Sequence, residues 1–169
     1  MKLAFPGLLL LASAAFAGAQ ERIDAQLAKG EQALEAVRSV DGAKVLRALE
    51  AAKPYFKRAR ALAVQALEGA PGAVGFEKAH AHATQRLVGI LNAETAIYLD
   101  RGARTLAKKR NGEALRLLPA DARAKALEEA IANPAPYEFE ARLVDLLVGG
   151  VPVRPIGRAG AVRRNLGRQ

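Results

Sequence analysis

Residues 41–69, DGAKVLRALEAAKPYFKRARALAVQALEG, read as an amphipathic helix and decide the fold class. Val45, Leu49, Ala52, Phe56, Ala59, Ala63 and Ala66-Leu67 recur in steps of four and three, which puts them on one side of a 3.6-residue period. Asp41 offers a side-chain oxygen to the free amides of the first turn. Pro54 has no amide hydrogen, so the helix either kinks there or restarts with Pro54 in a new first turn. Gly69-Ala70-Pro71-Gly72 ends the segment.

The same grammar extends in both directions. From Glu21 to about Val40, the apolar residues Ile23, Leu27, Leu34 and Val37 keep helical spacing, with Gly30 on the stripe where a larger side chain would hold a neighbouring helix away. Downstream, a long run from Phe76 through Ala83, Leu87, Ile90, Leu91, Ile97, Tyr98 and Leu106 is expected to stop at Asn111-Gly112, with one break near Asn92. A turn over Glu113–Leu118 leads to Pro119-Ala120-Asp121. Ala122–Ala132 follows as the most helix-prone stretch, closed by Asn133-Pro134. Tyr137–Val148 forms a last amphipathic helix carrying Phe139, Leu143, Leu146 and Leu147, with Gly149 to terminate it. Strand signals are nearly absent. Such helices, joined by short turns, must lie antiparallel to hide their stripes, so the chain is expected to be all-α: an antiparallel bundle or short helical-hairpin array of about five to six helices.

Phe56, Ala59, Ala63, Ala66-Leu67 and Pro71 resemble the second helix of a tetratricopeptide repeat, in which small residues let paired helices approach. The resemblance covers about sixteen residues. It implies a helical-hairpin module that binds other proteins. The preceding helix lacks the repeat's usual glycine and aromatic, and the next similar stretch, Tyr98, Ala107, Ala114-Leu115 and Pro119, falls 48 residues on, where the repeat's period is about 34.

The ends of the chain read differently from its middle. Lys2, the apolar Leu8–Leu11 and the small Ala17 and Ala19 have the layout of an export signal over residues 1–19, cleaved before Gln20. The uncharged run is shorter than a membrane span of about 20 apolar residues, so no transmembrane segment is expected after cleavage. Residues 20–149 form the helical domain. Within it 20 Lys and Arg face all 17 acids of the chain. Residues 150–169 carry Arg154, Arg158, Arg163, Arg164 and Arg168 with no acid, spaced by Gly and Pro, and so read as a basic arm with too little apolar content to build a core. There is no cysteine, so an exported chain must rely on packing alone, without disulfides.

Constellations for catalysis are thin. Glu77-Lys78-Ala79-His80 has the spacing of one ligand pair of a two-metal bundle, but a second pair is wanting, and His80 and His82 point about 200° apart on a helix. No metal or other cofactor is therefore expected. Ser39 sits without a glycine elbow, Thr84, Thr95 and Thr105 lack an adjacent base, and no phosphate-cradling glycine loop occurs. Glu94 falls one heptad after Leu87 on an apolar stripe and needs a buried partner, an arginine of another helix or Tyr98 one turn along. A catalytic use would have to join it to His80 and Tyr98, yet His80 and Glu94 stand about 21 Å apart along one helix.

Cations are the positive signal. Arg101, Arg104 and Lys108 recur in steps of three and four with Lys109 and Arg110 behind them, while Lys53, Lys57 and Arg60 line another face. Together with the five tail arginines, Arg101, Arg104 and Lys108 are the expected anion-binding residues. The export signal selects lipid headgroups or an anionic envelope polymer as partner, and the shortage of aromatics argues against nucleic acid. The expected function is that of an exported, non-enzymatic binding or scaffold protein of the cell envelope. The alternative is a protein–protein interaction module, tetratricopeptide-like or self-associating, without polyanion binding.

Overall fold

The computed structural model describes residues 6–39, 42–133 and 137. They form α1 (Pro6–Glu35), a 3-10 turn (Ala36–Ser39), α2 (Gly42–Gly69), α3 (Val74–Asp100), α4 (Arg104–Leu117) and α5 (Ala122–Ala132), with no strand among the described residues. The fold is all-α. Each helix packs chiefly on its successor, with lighter contact between α1 and α3 and between α3 and α5, so the chain builds an antiparallel array with α3 as its spine. Every residue from Leu91 to Ile97 is buried, which only a helix with neighbours on all sides can achieve.

The stripe of α2 behaves as its spacing requires: Val45, Leu49, Ala52, Phe56, Ala59 and Ala63 are all fully buried. Against them α1 sets Ile23, Leu34 and Val37. Gly30 makes the closest approach, since a Cβ there would stand 2.6 Å from Phe56 Cζ. The glycine is a slot for the ring, and burying that ring contributes about 1.5–3 kcal/mol.

Four features differ from the sequence expectation. α1 begins at Pro6, well before Glu21, so the helix crosses the expected Ala19–Gln20 processing point without interruption. Pro54 neither restarts nor ends α2. Its ring is exposed, so the Glu50 carbonyl that loses its amide partner lies on the side facing water. The long run after Phe76 breaks at Gly102 rather than near Asn92. Gly102 adopts φ +72°, its amide donates to Leu99 O (2.9 Å) and the Ala103 amide donates to Tyr98 O (2.8 Å), the paired bonds of a Schellman stop. Asn111-Gly112, expected to end a helix, lies inside α4, held there by burial of Ala107, Asn111 and Ala114.

Asp121 caps α5, accepting a hydrogen bond from the Ala124 amide at 2.8 Å and another from Asn92 Nδ2 at 2.9 Å. Asp41, the helix expected over 137–148 beyond Tyr137, and the arm at 150–169 lie outside the described residues. Among the described residues no helix is long and apolar enough to cross a membrane.

Candidate functional site

α4 presents two polar surfaces, one turned inward to α2 and α3 and the other toward α5. The inward one is an ionic cluster around Glu94, which is 0% exposed. Lys53 of α2 lies 2.7 Å from Glu94 Oε1 and donates to Oε2 at 3.1 Å, while Arg110 Nε of α4 is 3.2 Å from Oε2. Both cations also reach Glu50: Lys53 Nζ at 2.9 Å and Arg110 Nη2 at 2.8 Å. Glu113 faces Arg110 Nη1 at 3.3 Å. The partner that Glu94 required is thus a pair, Lys53 and Arg110.

This corrects the reading of Lys53, Lys57 and Arg60 as one basic face. Lys53 is buried in the cluster and Arg60 Nε donates to Thr84 Oγ1 at 3.2 Å, leaving only Lys57 exposed. Burial pushes the Glu94 carboxyl above the usual carboxylate range, further than Lys53 and Arg110 pull it down. Glu50 moves the other way: its partial burial would raise it, but Lys53 and Arg110 together hold it below the usual range. Two carboxyls driven apart in this way are the raw material of acid and base catalysis. Here Glu94 is sealed from solvent, while Glu50 is nearly half exposed.

The outward surface is a cleft of about 560 Å³ between α4 and α5. Arg104, Lys108, Asn111 and Leu115 contribute from one stripe of α4, and Glu128 and Ile131 from the facing side of α5. Arg104 fixes the cleft's end by donating from Nη1 to Ile131 O at 2.8 Å and Ala130 O at 3.3 Å, which satisfies last-turn carbonyls of α5 and places a cation at its negative end. Lys108 and Glu128 are both exposed, and neither makes an ion pair among the described residues. Asn111 is 2% exposed, and its Oδ1 is sealed from solvent with no hydrogen-bond partner among the described residues.

Of the residues expected to bind anions, the fold brings Arg104 and Lys108 into this cleft and leaves Arg101 outside its lining, exposed at the C-cap of α3. The tail residues Arg154, Arg158, Arg163, Arg164 and Arg168 lie outside the described residues. Sequence reasoning missed Asn111, Gly112 and Glu128. The steps from 104 to 108, 111 and 115 carried the signal, but Asn111-Gly112 was read as a stop.

The histidines hold other places. His82 Nε2 lies 3.1 Å from Glu31 Oε1, which also accepts from Arg86 Nε at 2.7 Å, tying α3 to α1. His80 binds its proton less readily than usual because of burial and then the charge of Arg60. A second hollow of about 410 Å³ lies at the opposite end of α3, walled by Phe16, Ala70, Ala73 and Phe76. It is almost wholly apolar, with only Gln20 to orient a guest. Comparison with known proteins gave no matching family model, no matching curated protein and no matching solved structure.

Proposed function

We propose that the chain is an exported, non-enzymatic helical binding module of the cell envelope that holds an anionic surface or acidic partner through its cations. One observation carries the reading: Lys57, Arg101, Lys108 and Lys109 are exposed and make no ion pair among the described residues, so their charge is directed outward. Arg154, Arg158, Arg163, Arg164 and Arg168 add five cations in a stretch without acids. Such a distribution attracts a polyanion at long range and is screened by salt. Enclosure of Glu94 by Lys53 and Arg110 supports the non-enzymatic part of the reading, since the one carboxyl raised above its usual range among the described residues serves the interior.

The test is co-sedimentation of the full chain with vesicles of anionic lipid and, in parallel, of neutral lipid. Binding to the anionic vesicles alone, released by added salt and largely removed by truncation after Gly149, is the expected result. Equal binding to neutral vesicles, or binding indifferent to both salt and truncation, overturns the reading.

A further inference from the structure

We infer that the α1/α2 hairpin carries a docking face for an anionic lipid bilayer, which it meets side-on. The inference rests on the reading of the chain as holding an anionic surface and adds to it the face of the folded body that makes the contact.

Two rows of cations define the face. On α2, Lys44, Arg47, Ala51, Tyr55 and Arg58 follow one another in steps of three and four, and all five are exposed. The stripe lies away from α3: Lys53, which reaches Glu94 there, is two residues from Tyr55 and so about 200° round the helix. One helix sets the spacing, so Lys44 and Arg58 stand about 21 Å apart along its axis at about 1.5 Å per residue. α1 supplies the second row. Arg22 shares a hollow with Leu62 and Gln65, which continue the α2 stripe, and Lys29 follows two turns later on the same side of α1. The close approach of Gly30 to Phe56 sets the two rows side by side.

Neither row contains an acid. The side chains of Lys29, Lys44, Arg47 and Arg58 have no partner among the described residues, and Arg22 uses only Nε, which donates to Gly18 O at 3.1 Å. The acids of the hairpin are engaged elsewhere. Glu31 holds Arg86 and His82 of α3, Asp24, one heptad before Glu31, accepts from Gln20 Nε2 at 2.9 Å, and Glu50 is held by Lys53 and Arg110. Glu35 has a partner of its own, and Glu21 and Glu68 lie at the end of the hairpin where α2 finishes. Like charges one turn apart on a helix are mildly destabilising, so Lys44 beside Arg47 does nothing for the fold.

A plane of headgroups fits this face better than other anions do. The cations are spread along two parallel helices instead of gathered on one point, as a single small anion would require. Tyr55, 36% exposed in the middle of its row, presents a ring and hydroxyl of the kind that settles at headgroup level. A nucleic-acid strand calls for several stacking rings, where the two rows have one.

The test uses the full chain with vesicles of phosphatidylglycerol in phosphatidylcholine, with vesicles of phosphatidylcholine alone, and with a short DNA duplex. Each basic residue held at an anionic bilayer is worth about fivefold in affinity, so Arg47→Gln with Arg58→Gln should weaken binding to the anionic vesicles about thirtyfold. Arg116 and Lys125 are exposed on α4 and α5, and Arg116→Gln with Lys125→Gln, an equal loss of charge, should weaken it less than about fivefold. The chain has no cysteine, which permits a second readout that leaves the charges intact. An environment-sensitive dye on Ala51→Cys should shift to the blue on anionic vesicles, and the same dye on the exposed Ala126→Cys of α5 should not. Equal losses from the two double variants, or equal dye shifts at the two positions, overturn the inference and leave the wider reading standing. No binding of the parent chain to anionic vesicles overturns both. A dye shift at Ala51→Cys with the duplex and none with vesicles assigns the face to nucleic acid and overturns the inference as well.

Discussion

Arg110 and Asn111 are adjacent on α4, yet they serve surfaces with opposite economies. Arg110 turns inward, where Glu94, Glu50 and Glu113 share its guanidinium and each charge has a neighbour of opposite sign. Asn111 lines the cleft toward α5, where Lys108 and Glu128 are exposed and make no ion pair among the described residues. The difference teaches how a polar group inside a helical array can be assigned a role. Where folding has already satisfied it, the group serves the fold. Where a charge stands exposed and unpaired beside a hollow, as Lys108 and Glu128 do among the described residues, its chemistry is available to a visitor.

The comparison breaks first if the inward cluster tolerates damage. Lys53→Ala leaves Glu94 buried with Arg110 as its only cation and should cost about 3 kcal/mol of unfolding free energy, read by urea denaturation. Replacing Lys53 and Glu94 together by Met and Leu should recover most of that loss, because no isolated charge then remains inside. A single substitution as mild as the double one would mean that the cluster is not an interdependent unit.

The pH dependence is the next largest effect, limited to about 1.4 kcal/mol per pH unit for one proton. Glu94 holds its proton more tightly in the folded chain, so its contribution is complete below the ordinary carboxylate range and drains away as pH rises through its raised value. Glu50 acts in the opposite sense: its contribution is complete above that range and is lost as pH falls through its lowered value. Being nearly half exposed, Glu50 gives the weaker slope. Denaturation measured from about pH 3 to 8 should therefore decline on the alkaline side, and Glu94→Gln should flatten that decline.

Two changes at the outward surface should stabilise, which sharpens the contrast. Asn111→Leu removes an unsatisfied buried acceptor and should add about 1 kcal/mol by the same denaturation assay. Gly112→Ala should add about 0.5–1 kcal/mol, since Gly112 sits inside α4 with nothing within 4 Å of the space a Cβ would take. A loss of stability from either would place the cleft residues among those that hold the fold.

Much of the architecture was legible because short-range periodicity encodes it. The α2 stripe and the slot at Gly30 each depend on neighbours a few residues away or on one close helix contact, and both are present. The need of Glu94 for a partner was legible, but Lys53 was not legible as that partner. It lies 41 residues upstream, and its spacing to Lys57 imitates a solvated basic face. Gly102 was hidden among charged residues with no proline or asparagine beside it. Asn111-Gly112 misled for the reverse reason: a strong turn signature was overridden by packing on α3. The cleft itself belongs to two helices at once, so no single stripe could display it.

Before α1 winds, the bond joining Ala19 to Gln20 is ordinary extended backbone open to a protease; afterwards it lies in mid-helix, with Ala19 against the α2 and α3 residues of the same hydrophobic cluster. Cutting there would mean unravelling turns on both sides of the bond and pulling Phe16 from its place 6.2 Å from the Phe76 ring. Cleavage at this bond and folding are therefore rivals in time. Any enzyme that cuts the chain here must act before α1 has wound, or on a copy in which it has come undone.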